Sequence, residues 1–299
     1  MNRREFAAIS ARNAKTEVVR ICKCLPVSPK YKSILKRNTS FPDGLIPLRL
    51  AVARKLQRSG DVKICSYGGG LAATNYLQSL KQKKVIYTAI FGGKDRLPSL
   101  RTVPKDWDLV IFTDNETLDS KLWNVVYMEP PNRDPTRAAR QLKLTPHVLF
   151  PSHEISAWID ANLCLTCDVN HYFDRFIIGH DFVLLRHWQD VKGPYHEVQR
   201  CIDLQKDDEA LITRQGQAYR EAGMPDSLEV AWTAILIRRH NKPHVKAFDA
   251  MWLAELQRWS RRDQISFPYC AWKTGLKYST IPGLGQWFRR VNHKVGGWK

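Results

Sequence analysis

A short apolar run, Ser156-Ala157-Trp158-Ile159, ends in Asp160-Ala161-Asn162. Side chains alternate along an extended chain, so Asp160 and Asn162 are expected to project together from the end of a strand. Two oxygen ligands so placed suit a hard divalent ion, Mg²⁺ or Mn²⁺, clamped against a diphosphate. Asp and Asn are also the usual residues of a turn that follows a strand. The triplet therefore gains meaning only from its neighbours.

Upstream, Tyr87-Thr88 lie on a run that ends in Gly92-Gly93, where backbone can approach a nucleotide closely. Phe112-Thr113 is followed by Asp114, placed to bind a base or ribose. Arg137, Arg140 and Lys143 recur at a spacing of three, which aligns them on one side of a helix where they can meet phosphates or remain a solvated basic face. Arg262-Asp263-Gln264 follows a Trp-bearing helix. An aspartate there can act as general base on an acceptor hydroxyl, orient a sugar, or pair with arginine at a helix junction. Near the end, His293 precedes a Gly-rich basic turn and is a candidate third metal ligand.

The elements that must position these groups alternate. Strands are predicted over Val85 to Phe91, Trp107 to Thr113, Trp123 to Met128, Ile155 to Ile159 and Ala231 to Ile237, with a shorter candidate at Val62 to Tyr67. Helices are predicted from Pro47 to Arg58, from an Asp134 cap and Pro135 to a stop before Pro146, over Glu209 to Ala222, and over Val245 to Trp259. This alternation predicts an α/β fold with a mixed, mostly parallel, Rossmann-like sheet flanked by helices and with ligands at the carboxyl ends of the strands. The chain divides into a basic, partly helical extension (1–83), a central domain (84–275) and a basic tail (276–299). Gly68-Gly69-Gly70 lacks the spacing of a phosphate-binding loop and reads as a turn.

The formal charge of +18 is concentrated at the ends. Residues 1–40 hold ten Lys or Arg against two Glu, and residues 271–299 hold six against none, so the 230 residues between carry only +4. Termini of this kind suit an anionic membrane face or a polyanion, and the near-balanced middle disfavours a dedicated nucleic-acid groove. Seven cysteines in 299 residues do not make a disulfide scaffold, and the odd count suits a reducing compartment, hence the cytoplasm. Cys22 and Cys24 with Cys164 and Cys167 have the number of thiols for zinc, but the second pair sits in an apolar run where cysteine packs as a small hydrophobe. No apolar span is long enough to cross a membrane.

Read in order, YTAIFGGKDRL, FTDN, DPTRAARQLKLTPH, SAWIDAN, HEVQRCI, QGQAYREAGMP, IRRH and RRDQISFPY resemble a glycosyltransferase-like family. It includes plant mucilage- and turgor-related proteins and bacterial polysaccharide-locus proteins. The resemblance covers about residues 84–275. It implies a GT-A-like fold and transfer of a sugar from a nucleotide-sugar donor to a glycan or lipid-linked acceptor. Carried onto this chain, the donor and metal motif falls on Asp160 and Asn162, with Asn in the second acidic position. The basic helix falls on Arg137, Arg140 and Lys143 with His147, and the last motif on Arg262, Asp263 and Gln264. The final residues also resemble the HxxGxxK signature of glycogenin-like transferases, whose His binds metal. Relatives carry a His-Pro-Arg-like stretch where this chain reads Leu185-Arg186-His187-Trp188. Two other readings stand beside the enzyme: a degenerate scaffold, and a basic binding module using Trp287, Phe288, Arg289 and Arg290 as a stacking surface for nucleic acid or acidic glycans.

Overall fold

The computed structural model describes residues 64–66, 77, 80–187, 191–282 and 288–290. The expected helix at 47–58, the Gly68–Gly70 turn, Cys22, Cys24, Trp287 and His293 lie outside them. Eight strands form one sheet: β1 (Ile64–Ser66), β2 (Lys84–Ile90), β3 (Trp107–Thr113), β4 (Asn124–Met128), β5 (Ile155–Ile159), β7 (Phe182–Arg186), β8 (Ala231–Arg238) and β9 (Ser279–Ile281). Their spatial order is β1-β4-β3-β2-β5-β8-β7-β9. Only β8 runs against the others, pairing antiparallel with both β5 and β7. A mixed, mostly parallel sheet flanked by helices is the expected class. The sheet reaches beyond residues 84–275 at both ends, through β1 and β9.

The central strands are near-continuous apolar runs because both faces are covered. From Val85 on, every residue of β2 is buried, and so is every residue of β8. Alternation sends Tyr87 to one face and Ile86 to the other. One face packs Tyr87, Phe112 and Trp158 against Phe248, Trp252 and Phe267. The last three come from α6 (Pro243–Arg258) and α7 (Asp263–Thr274). The opposite face packs Ile86, Ile159 and Ile235 against Phe173 and Ile177 of α3 (Val169–Ile177).

The remaining helices are α1 (Pro135–Lys143), the single turn α2 (Pro146–Leu149), α4 (Pro194–Asp203) and α5 (Glu209–Glu221). Two three-residue strands, β6 (Leu163–Leu165) and β10 (Phe288–Arg290), form a separate antiparallel ladder. No described helix is long and apolar enough to cross a membrane.

β7, α3, α4 and α7 were not predicted from the sequence. α7 has no amphipathic signature because eight of its residues are buried, and it carries Pro268 internally. Its stop is conventional, with Gly275 in the left-handed region at φ 65°.

Burial corrects two expectations. Tyr87 is a core residue and not a nucleotide contact: its hydroxyl donates to the Lys143 carbonyl (2.7 Å) and accepts from Arg238 Nη2 (2.6 Å). Thr88 is equally inaccessible, with its hydroxyl enclosed in the sheet. The zinc reading also weakens, since burial pushes the Cys167 thiol up to about 11 and disfavours the thiolate that zinc needs.

Arg238 is itself fully buried, 2.8 Å from the equally buried Asp249 of α6, and also donates to the Lys143 carbonyl. One guanidinium thus ties β8, α6, β2 and the end of α1. Removing one partner of such a pair strands a buried charge, so Arg238→Met is expected to cost about 3–5 kcal/mol in urea denaturation. A cost below about 1 kcal/mol would contradict this role.

His240, buried with Nε2 3.0 Å from the Phe150 carbonyl, is held down to about 4, chiefly by burial, against an ordinary 6.5. Between pH 6.5 and 4 the unfolded chain takes up a proton that the native chain refuses. Stability is therefore expected to fall with falling pH by about 1.4 kcal/mol per unit from this group. His240→Gln, followed by denaturation across that range, should flatten the slope.

Candidate active site

Parallel strands bring their carboxyl ends to one edge, and the candidate groups gather there. β2 runs into Gly92, β3 into Asp114 and β5 into Asp160. Asp114 Oδ2 accepts the Gly92 N–H (2.9 Å), which joins two strand ends. Its Oδ1 is buried with no hydrogen-bond partner. Gly92 needs its lack of a side chain twice: its φ is +64°, and a Cβ would lie 3.0 Å from Pro135 at the start of α1.

That helix starts where the sequence predicts. Asp134 caps it by accepting the N–H groups of Thr136 (2.7 Å) and Arg137 (3.4 Å), and Pro135 supplies the first helical φ. Arg140 and Lys143, three residues apart, then converge on two carboxylates from distant parts of the chain. Arg140 Nη1 donates to Asp160 Oδ1 (3.0 Å), and its Nε lies 3.1 Å from Asp263 Oδ2. Lys143 Nζ donates to Asp263 Oδ2 (2.5 Å) and to the Thr233 carbonyl (2.6 Å), and lies 3.8 Å from Asp160 Oδ1.

Lys143 is 0% exposed and Asp263 1% exposed. The ammonium lies between the rings of Trp158 and Trp252, 5.8 and 5.9 Å from their centroids. Burial, reinforced by Arg140, lowers Lys143 to about 8, while Asp263 and Asp160 work to keep it charged. Burial works to raise Asp263, but Arg140, Lys143 and Arg262 together hold it well below the usual carboxylate range. A carboxylate fixed by two cations and closed to solvent is a poor proton acceptor. The geometry opposes the general-base role for Asp263 and leaves it an orienting one.

Asp160 is 23% exposed on its side chain, and the chain does not stay extended beyond it. The Leu163 N–H donates to the Asp160 carbonyl (3.0 Å), making a turn of 160–163. Strand alternation therefore does not relate Asp160 to Asn162, although it does place Trp158 and Asp160 together, with Trp158 Nε1 donating to Asp160 Oδ1 (2.7 Å). Oδ1 thus receives Trp158 and Arg140, and Oδ2 takes part in neither bond.

Asn162 is 8% exposed and immediately precedes β6. Arg290, the last residue of β10, pairs with Leu163 beside it. Among the described residues no three His, Cys, Asp or Glu side chains are grouped as a metal site. Asp160 and Asn162 carry hard oxygen donors of the kind that Mg²⁺ or Mn²⁺ takes when phosphates complete its shell.

The other candidates disperse. Arg137 donates to the carbonyls of Leu256 and Trp259 (2.8 Å for the latter), capping the end of α6. Arg262 Nη2 donates to Gln264 Oε1 (3.3 Å), and its charge also acts on Cys201 of α4. Sequence reasoning missed Trp252, which covers Lys143, and did not foresee that Arg261, read with Arg262 and Asp263 as one cluster, pairs with the cap residue Asp134 (2.9 Å). Trp252 was visible only as an apolar helix position. A cleft of about 200 Å³ opens between α1 and α6, and Arg140 lines it. Phe288, expected on a stacking surface, is buried against Trp232 at 5.5 Å, which removes an aromatic from the nucleic-acid reading.

Comparison with known proteins bears on this arrangement. A probable hexosyltransferase, MUCI70 of Arabidopsis thaliana, is 28% identical over 213 residues, covering 61% of this chain and 36% of that protein. The chain thus spans about a third of its relative's length. Among solved structures, the bifunctional glycosyltransferase WbbM has a TM-score of 0.41 at 11% identity, over 67% of this chain and 38% of its own. Mouse xyloside xylosyltransferase 1 has 0.38 at 10%, over 67% and 84%. These two likenesses are too slight to carry an argument. The TOD1/MUCI70 glycosyltransferase-like domain matches residues 108–282, more than half of the chain and the stretch that contains Arg140, Lys143, Asp160 and Asp263. The chain belongs to the TOD1/MUCI70 glycosyltransferase-like domain family.

Proposed function

We propose that the chain transfers a hexosyl group from a nucleotide-sugar donor, held at the carboxyl edge of β2, β3 and β5, to a hydroxyl of a glycan or lipid-linked acceptor. The observation that carries this reading is the convergence of Arg140, Lys143, Asp160 and Asp263 at that edge, next to an open cleft. Asp114, half-buried at the end of β3, would accept a ribose hydroxyl. Asp160 and Asn162 would hold Mg²⁺ or Mn²⁺, whose positive charge would offset the negative charge of the donor diphosphate. His293, the expected third ligand, lies outside the described residues.

Arg140 bears on the leaving nucleotide. Its guanidinium is fixed before any ligand arrives, and a preorganised cation aimed at developing negative charge lowers the barrier without reorganisation. Asp263 and Lys143 hold that guanidinium and Asp160 in register. Polysaccharide or surface-glycan synthesis is the setting that fits, with the basic termini drawing the chain to an anionic membrane face where acceptors are lipid-linked.

Millimolar UDP- or GDP-sugar with Mn²⁺ is expected to raise the melting temperature by several degrees, and Asp160→Ala to abolish the rise. The absence of any shift across a panel of nucleotide sugars and metals would remove the donor site. Asp263→Asn leaves the buried Lys143 charge without its carboxylate, so it should lose about 3–5 kcal/mol of stability in chemical denaturation. A variant of wild-type stability would contradict the buried pair, and loss of the acidic limb of the turnover–pH profile in that variant would restore Asp263 as the base.

A further inference from the structure

The cleft between α1 and α6 has an unusual lining. It carries three guanidinium groups (Arg137, Arg140, Arg261) and three carboxamides (Asn132, Gln141, Gln257) over leucine side chains, with no carboxylate. Two of the guanidiniums are matched by acids outside the lining. Arg140 has Asp160 and Asp263, while Arg261 has Asp134 (2.9 Å) and Asp207 (3.5 Å). Arg137 is different. Its guanidinium donates to the carbonyls of Leu256 and Trp259, and among the described residues no carboxylate pairs with it.

Those carbonyls are the carboxyl end of α6, which bears about half a negative charge, so they offset the arginine only in part. Arginine presents five N–H donors and these bonds use two, leaving a forked face for an anion. Because α6 already fixes the group, little ordering remains to be done on binding. At about 200 Å³ the cleft lies below the roughly 300–1,000 Å³ of sites for drug-sized ligands, a size for one ring. Amides and guanidiniums above an apolar floor match ring hydroxyls, an anionic substituent and the C–H face of a sugar.

We infer that this cleft is a subsite for an acidic sugar, a single hexose ring bearing a carboxylate or a phosphate. Arg140 is shared with the site around Asp160, so the ring would lie beside the donor, as an acceptor terminus does. The acceptor role rests on the proposed sugar transfer, whereas binding of the acidic ring does not.

The test is calorimetric titration of the full chain with glucuronate, glucose 6-phosphate and glucose at low salt. At least one acid should bind ten or more times as tightly as glucose, with the advantage shrinking as salt is raised. Preference for one acid over the other identifies the substituent as carboxylate or phosphate. Gln257→Glu places a carboxylate on an exposed lining position. It should erase the preference while leaving glucose binding and melting temperature unchanged. Arg137→Gln should do the same, with its melting temperature followed because it also ties α6. Equal affinity for acids and glucose, or a preference that survives Gln257→Glu, overturns the inference. If acids bind as expected and no nucleotide sugar binds, sugar transfer fails and the subsite stands.

Discussion

An ammonium group closed to water, 2.5 Å from a carboxylate that is itself closed to water, is the constraint around which the rest is arranged. Lys143 reaches this position from the last turn of α1, and Asp263 from the first residue of α7, 120 positions along the chain. Desolvating two such charges costs several kcal/mol each and is recovered only where geometry is good and further bonds satisfy the groups. The Thr233 carbonyl on β8, the rings of Trp158 and Trp252, and Arg140 supply those bonds. Mispacking of β5, β8, α6 or α7 would leave charge uncompensated, so the pair specifies their arrangement as much as it stabilises it.

From that buried pair, charge alternates outward: Lys143, Asp263, Arg140, Asp160. Arg140 and Asp160 are more exposed than the inner pair, and Asp160 is the most exposed of the four. A fully buried guanidinium, that of Arg238, donates to the Lys143 carbonyl at the same helix end. Arg140 and Lys143 stand on α1 and Asp263 opens α7, while Asp160 directly follows β5, so most of the cluster is held by regular elements, the condition under which side-chain positions are held most closely.

Much of this was legible in the sequence. Apolar runs ending in Gly, Asp or Asn marked β2, β3 and β5 to within a residue, and the Asp134-Pro135 start marked α1. The groups at 140, 143, 160 and 263 were each singled out, but in three separate motifs and beside residues that the fold sends elsewhere. What spacing could not supply was depth. A lysine between Leu142 and Leu144 reads as a cation on a basic helix face, whereas the fold turns it inward beneath two tryptophans. Arg137, on the same helix, turns to carbonyls of α6 that are 119 and 122 residues away. Asp160 and Asn162 looked like neighbours on an extended strand, and the turn at 160–163 removes the alternation on which that reading rested. α7 escaped because an element buried on all sides has no periodicity to read.

The most direct test is a crystal structure of the full chain with a nucleoside diphosphate and Mn²⁺. The diphosphate is expected at the carboxyl edge of the sheet, with Arg140 within hydrogen-bond distance of a phosphate oxygen and with Lys143 and Asp263 still paired beneath. A nucleotide bound elsewhere on the chain, with Arg140, Asp160 and Asp263 remote from it, would contradict this expectation.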